Sequence, residues 1–311
     1  TSLSGPGANI TLNNGTIGRS GEISFGPATV IDRAVTLVND GGFFVESTNN
    51  SLTVSSVIDG GGRLVKSGPG QLLLTGNNTY SGGTVVRGGI VSFALDANLG
   101  AAGTGITLDN GSIGTTTTPA GTSFNRTITL AGNGGISVGQ HPITWSGNIV
   151  GPGQLIKTGN GELELTGTNT YGGGTVVQRG TLRVSSDDKL GAAGTQITLQ
   201  DNGSLRASDT FATSRAVDLV GAGGVLLVDA GKELTLQGVV SGTSLLKVGD
   251  GTVVLTGNNT YTGTTQVFQG ILQGSSNTIR GNVAFDSSPL SKSLVFDQHS
   301  DGTFAGNIQG V

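Results

Sequence analysis

Three stretches of this chain are copies of one another, and that repetition constrains the fold more than any other feature. The first reads Lys66-Ser-Gly68-Pro-Gly70-Gln-Leu72-Leu-Leu74-Thr75-Gly76-Asn-Asn78-Thr79-Tyr80-Ser-Gly82-Gly-Thr84. The segments from Lys157 to Thr175 and from Lys247 to Thr265 repeat it, about 90 residues apart, a long period of the kind seen in repeat proteins. Tyr80, Tyr171 and Tyr261 all fall in one slot. A second block, Leu99-Gly-Ala-Ala-Gly-Thr-Gly-Ile106-Thr-Leu108, recurs from Leu190 to Leu199, and a weaker copy runs from Leu3 to Gly15.

Inside the long period lies a shorter one. Apolar–polar–apolar triplets return every ~15–25 residues, the spacing of a solenoid. In the middle unit they are Ile106-Thr-Leu108, Ile128-Thr-Leu130, Ile143-Thr-Trp145, Leu163-Glu-Leu165 and Leu182-Arg-Val184. Each alternates with period two, so each is a half-buried strand. Gly, Asn and Asp follow most of them; these residues tolerate positive φ and supply tight corners. Such short strands cannot bury their apolar face alone. Stacking one coil on the next gives a continuous aliphatic column. The expected fold is therefore all-β, a right-handed, three-sided parallel β-helix. At ~22 residues per coil the chain makes about 14 coils, which at ~4.8 Å each form a rod of about 65 Å. A string of immunoglobulin-like sandwiches would also repeat near 90 residues, but it calls for a core Trp in each copy. Trp145 is the only Trp.

Composition agrees. Gly is 57 of 311 residues, and charged residues are 12%, well under the usual ~25%. Without Cys there is no disulfide framework, no thiolate metal site and no Cys nucleophile. Sixteen Lys and Arg, spread thinly in a chain of net charge −4, form no basic stripe, so nucleic acid is not an expected partner.

The pattern Lys-x-Gly-x-Gly-x-Leu-x-Leu-Thr-Gly-x-Asn-Thr-Tyr-x-Gly-x-Thr resembles the passenger-associated transport repeat of bacterial autotransporters. The third copy departs from it at Val253 and Thr264. The stretch from Ser293 to Gly306 is also similar to segments common in that family. The resemblance implies a β-helix exported through the inner membrane, passed unfolded through an outer-membrane β-barrel and displayed on a Gram-negative surface. A chain free of disulfide-closed loops suits that route. The residues from 1 to 311 then read as a single β-helical passenger fragment, lacking the signal peptide and the C-terminal barrel of the full protein. Its repeat motifs span 60–113, 151–205 and 242–272, and 273–311 form terminal coils.

Little in the chain points to catalysis. His141 and His299 lie in different units, and His141 precedes Pro142 at an expected turn. No Gly-Gly-x-Gly-x-Asp repeat is present to hold calcium, and the Gly-Asp-Ser-Gly of autotransporter serine proteases is missing. Polysaccharide-cleaving β-helices need clustered carboxylates. The acidic pair Asp187-Asp188, matched by Asp96, reads as a solvated loop, and Glu162 and Glu164 flank Leu163 on the outer face. Lys66, Lys157 and Lys247 are expected to bond local carbonyls at strand ends, about four coils apart. Asn78, Asn169 and Asn259 should cap corners, with the three tyrosines packed beside them. Trp145 occupies a core slot. Phe44 and Leu226, read as outward-facing, are the candidates for partner contact. No cofactor or metal is expected.

The function expected from these readings is a non-catalytic, surface-displayed stalk or adhesin. Its partner would be a host receptor, a glycan or another copy of itself, and its coil-by-coil folding would assist secretion. The alternatives are a carbohydrate-active β-helix enzyme, a lyase or hydrolase, and a self-associating biofilm module.

Overall fold

The structure is a computed structural model that describes residues 8–19 and 29–310. The beginning of the weaker block copy, at Leu3, lies outside the described residues. The chain is all-β, with parallel sheets stacked as a β-solenoid of about 14 turns. Its strands are short, as in Val35–Leu37, Gly41–Val45 and Ser51–Val54, which together make one three-sided turn. Backbone contacts divide it into two units, residues 1–155 and 156–311.

In the first unit the alternation of the triplets becomes a ladder. Leu52 pairs with Leu72, Leu72 with Val91, Val91 with Ile113 and Ile113 with Ile136, each one turn further along the chain. All five side chains point inward and are buried. Each such aliphatic side chain contributes ~1.5–3 kcal/mol when taken out of water. A neighbouring column holds the large aromatics. Phe93 meets Phe124 edge-on, with ring centroids 5.3 Å apart, and Phe124 stacks on Trp145 at 5.4 Å. Trp145 is thus a core residue, and its indole Nε1 donates to the Arg126 carbonyl at 2.9 Å. Burial of an indole requires such a partner for the N–H.

The second unit has the same build. Leu163, Leu182, Leu205, Leu226 and Lys247 follow one another in register along one inner column. This unit also shows how the long repeat relates to the turn. Starting from the Lys157 strand, Leu155–Thr158, the sheet proceeds through Thr175–Val177, Ile197–Gln200, Val217–Val220 and Val240–Gly242. The next strand in sequence, Leu245–Val248, carries the repeated lysine, Lys247, yet it joins the adjacent sheet. One repeat therefore advances the chain by four turns plus one face. The expected four coils are corrected by that extra side: within this unit, equivalent residues of successive repeats occupy different faces.

Candidate functional site

The two repeated blocks fold into one corner built over successive turns. Asn78 sits between turns. Its Oδ1 accepts the Ile58 N–H at 2.8 Å, and its Nδ2 donates to the Asn98 carbonyl. Asn259 does the same with the Val240 N–H at 2.8 Å and the Thr278 carbonyl at 2.7 Å. The Asn169 amide donates to the Lys189 carbonyl at 2.7 Å. Corners leave strand N–H and C=O groups without ladder partners, and the asparagine amide supplies both kinds of bond. Tyr80 and Tyr171 are buried beside it, each with its hydroxyl 2.7 Å from a threonine, Thr84 and Thr175. Burial pushes the Tyr80 phenol up to about 12 and raises that of Tyr171.

Each repeated lysine is fully buried at 0% exposure and points its ammonium at three carbonyls. For Lys157 these are Thr158, Gly159 and Arg179, at 2.7, 2.9 and 3.1 Å. Lys66 bonds Ser67, Gly68 and Gly88, and Lys247 bonds Val248, Gly249 and Gln269. Three acceptors match the three protons of an ammonium. Desolvation nonetheless pulls Lys66 down to about 8 and Lys157 to about 7. Lys247 falls to about 8, with Asp250 acting in the opposite sense.

The sequence reading missed the strongest polar feature. Arg126, 1% exposed, reaches back across the Asp96–Leu99 turn. Its Nε donates to Asp96 Oδ1 at 2.6 Å and its Nη2 to Asp96 Oδ2 at 2.8 Å. The remaining guanidinium protons go to the carbonyls of Asp96, Leu99, Gly100, Ala101 and Thr104 and to the Thr104 hydroxyl. Arg215 binds Asp187 and the loop that follows it in the same way, with Nε 2.8 Å from Asp187 Oδ1. Asp187 is therefore not the free loop residue expected; it is the acceptor of a buried cation. The conspicuous Leu-Gly-Ala-Ala-Gly-Thr block is the loop that these arginines hold.

On the outer faces, Phe44 is half-buried, in register with Gly18 and Ser67. Leu226 is not on the outside. It is 0% exposed, between Leu205 and Lys247 in the inner column, and its neighbour Leu227 takes the outward slot. Glu162 and Glu164 do face outward, but Arg206 and Arg183 neutralise them, at 2.9 and 3.2 Å. Arg206 also bonds Asp229 at 2.8 Å, so these carboxylates belong to a mixed-charge ladder. His141 is exposed, and His299 lines a shallow cleft with Asp297 and Gln273. The chain also contains a Gly-x-Ser-x-Gly, at Gly135-Ile-Ser137-Val-Gly139, the spacing of a nucleophile elbow. Ser137 lies within the strand Gly134–Ser137, paired with Gly114, rather than on a strand-to-helix turn. Among the described residues no group of three His, Cys, Asp or Glu side chains is placed to hold a metal ion.

The repeated corner coincides with a known family signature. Residues 64–93, 155–184 and 245–273 each match the passenger-associated transport repeat. An adhesin autotransporter of Brucella suis, BmaC, is 34% identical over 291 aligned residues, covering 82% of this chain and 8% of the relative. This chain is autotransporter passenger sequence. An extracellular serine protease of Serratia marcescens is 37% identical over 73 residues, which covers 24% of the passenger segment and 6% of that enzyme. The segment thus spans less than a tenth of the length of the curated relatives it matches. No solved structure matches it.

Proposed function

We propose that this passenger segment is a non-catalytic stalk with adhesive faces, displayed on the surface of a Gram-negative cell. The observation that carries the reading is where the polar chemistry goes. The repeated Lys, Asn and Arg side chains are spent on the backbone of their own corners, and the Tyr80 hydroxyl on that of Thr84. What remains for recognition is the varied outer surface of the coils, and the likeness to an adhesin autotransporter extends over most of the chain. Host-cell or cell–cell contact is the proposed activity, with a surface receptor, a glycan or a second copy as partner. An outer-membrane β-barrel belongs to the full protein.

Folding of the same stack would assist secretion. In a one-dimensional array, structure starts at one place and propagates. Each coil formed outside the cell buries another set of inward aliphatics and opposes backsliding. Inserting Pro into the strand Glu162–Leu165 removes a ladder donor in the middle of a sheet. In the full-length protein this insertion should reduce surface display measured by antibody labelling of intact cells, and the remaining cells should lose adhesion. Full display with the proline in place would refute the secretion role; full display without adhesion by the unaltered protein would refute the adhesive one.

A further inference from the structure

The third copy of the corner lacks its arginine. The carbonyls that accept the three asparagine amides, those of Asn98, Lys189 and Thr278, set the register between copies. Two residues before each stand Asp96, Asp187 and Ser276. Arg126 and Arg215 each lie two residues before a strand residue, Ile128 and Val217, that pairs with Ile106 and Ile197. The corresponding pair in the third copy is Val283 with Ile308, and two residues before Ile308 stands Gly306. Both partners of the clamp are thus replaced, Asp by Ser276 and Arg by Gly306. The loop from Ser276 to the next strand, at Val283, is also shorter than those from Asp96 to Ile106 and from Asp187 to Ile197. A Cβ on Gly306 would collide with the Gly281 carbonyl oxygen, so an arginine does not fit there.

A cleft of about 340 Å³ is found at this corner, lined by Tyr261, Ser276, Arg280, Asn282, Phe304 and Gly306 among others. That is the small end of the ~300–1,000 Å³ range of ligand pockets. Ser276 is 7% exposed, and its hydroxyl has no hydrogen-bond partner. An orphaned buried hydroxyl is costly unless a ligand or ordered water meets it. Arg280 is exposed beside it and forms no ion pair among the described residues. Phe304 lines the cleft and packs against Phe296 with centroids 5.2 Å apart.

We propose that this third corner is a binding cleft for an acidic saccharide, with the sugar carboxylate on Arg280 and a ring face against Phe304. A guanidinium matches a carboxylate in bidentate geometry. The aromatic face covers the C–H side of a sugar ring, and Ser276 and Asn282 supply hydroxyl and amide groups for the ring hydroxyls. The inference rests on the adhesive reading and names the ligand class for it. In the first two copies the same corner is closed by the protein's own guanidinium, so only the third is open to a ligand.

The test is titration calorimetry on the full 311-residue chain with glucuronate and 3′-sialyllactose, and with lactose as the neutral control. Binding of either acidic sugar at least tenfold tighter than lactose is expected; glucuronate alone would assign uronates, and sialyllactose alone sialylated glycans. Arg280→Gln should abolish that preference with an unchanged thermal midpoint, and Phe304→Ala should weaken both acidic ligands several-fold. Equal binding of acidic and neutral sugars, or full affinity in the Arg280→Gln chain, overturns the proposal. Adhesion of cells displaying the full protein is scored separately. Cells carrying Arg280→Gln that still adhere fully overturn the cleft as the contact and leave the adhesive function standing. Non-adherent wild-type cells whose purified segment binds acidic sugars uphold the cleft and overturn the adhesin.

Discussion

Arg215 Nε lies 2.8 Å from Asp187 Oδ1, across 28 residues of chain, and the same guanidinium closes the loop between Asp187 and Thr195. Arg126 and Asp96 repeat the relationship in the other unit at 2.6 Å. A buried guanidinium is tolerated here because every proton direction finds an oxygen.

Arg215→Met should cost about 3–5 kcal/mol, because it leaves a carboxylate and several carbonyls without their donor. Arg215→Lys should recover little, since a single ammonium cannot span the fork of acceptors. Urea unfolding gives the stability, and faster amide exchange confined to the 187–195 loop would show that the clamp is what was lost.

Gly191 has φ of +82°, and a Cβ there would meet the Tyr171 ring carbon Cε2 at 2.7 Å. Gly194 has φ of +77° with nothing within 4 Å. Gly194→Ala should therefore cost only the backbone strain, about 1 kcal/mol. Gly191→Ala adds the collision with the ring and should cost clearly more, about 2–4 kcal/mol. Equal thermal midpoints for the two variants would disprove the packing of the second block on the first.

Stability should rise with pH through the window set by the buried lysines. The folded value of Lys157 is about 7, against an unfolded value of 10.5. Between these limits the unfolded chain binds a proton that the folded chain has released, so alkalinity favours folding. Below about 7 both states are protonated and the burial penalty is fully present. Relative to Lys157→Met, the wild type should gain up to about 2 kcal/mol between pH 7 and 9. Parallel denaturation midpoints for the two chains across that range would contradict the assigned direction.

Trp145→Ala should destabilise the first unit by about 3–5 kcal/mol, the range for removing a large aromatic from a core. Its indole also holds the Arg126 carbonyl. Trp145→Ala and Arg126→Met should therefore be non-additive in a double-mutant cycle, by about 0.5–3 kcal/mol, as expected of residues in contact. Strict additivity in urea titrations would separate the aromatic column from the clamp.

Much of the corner is legible in sequence because its chemistry is local. The Lys157 ammonium reaches the carbonyls of the next two residues, and Asn78 and Tyr80 act within a turn of their own slot. Leu226 and Leu227 were not separable. In Gly224-Val-Leu-Leu-Val228 every non-glycine residue is apolar, so alternation assigns no face to either leucine. Only pairing with Leu205 and Lys247 sends Leu226 inward.

The amino-acid sequence by itself determined the parallel solenoid: short alternating triplets cannot bury an apolar face except against the next coil, and glycine-rich corners return the chain to it. Tertiary structure alone decided which polar residues meet. Stacking turns the separation along the chain into a rise of one or two coils, so Asp96 and Arg126, thirty residues apart, become a bonded pair. The open third corner follows from the same physics. Ser276 and Gly306 look unremarkable one at a time, and their replacement of an ion pair becomes visible only when the coils lie on top of one another.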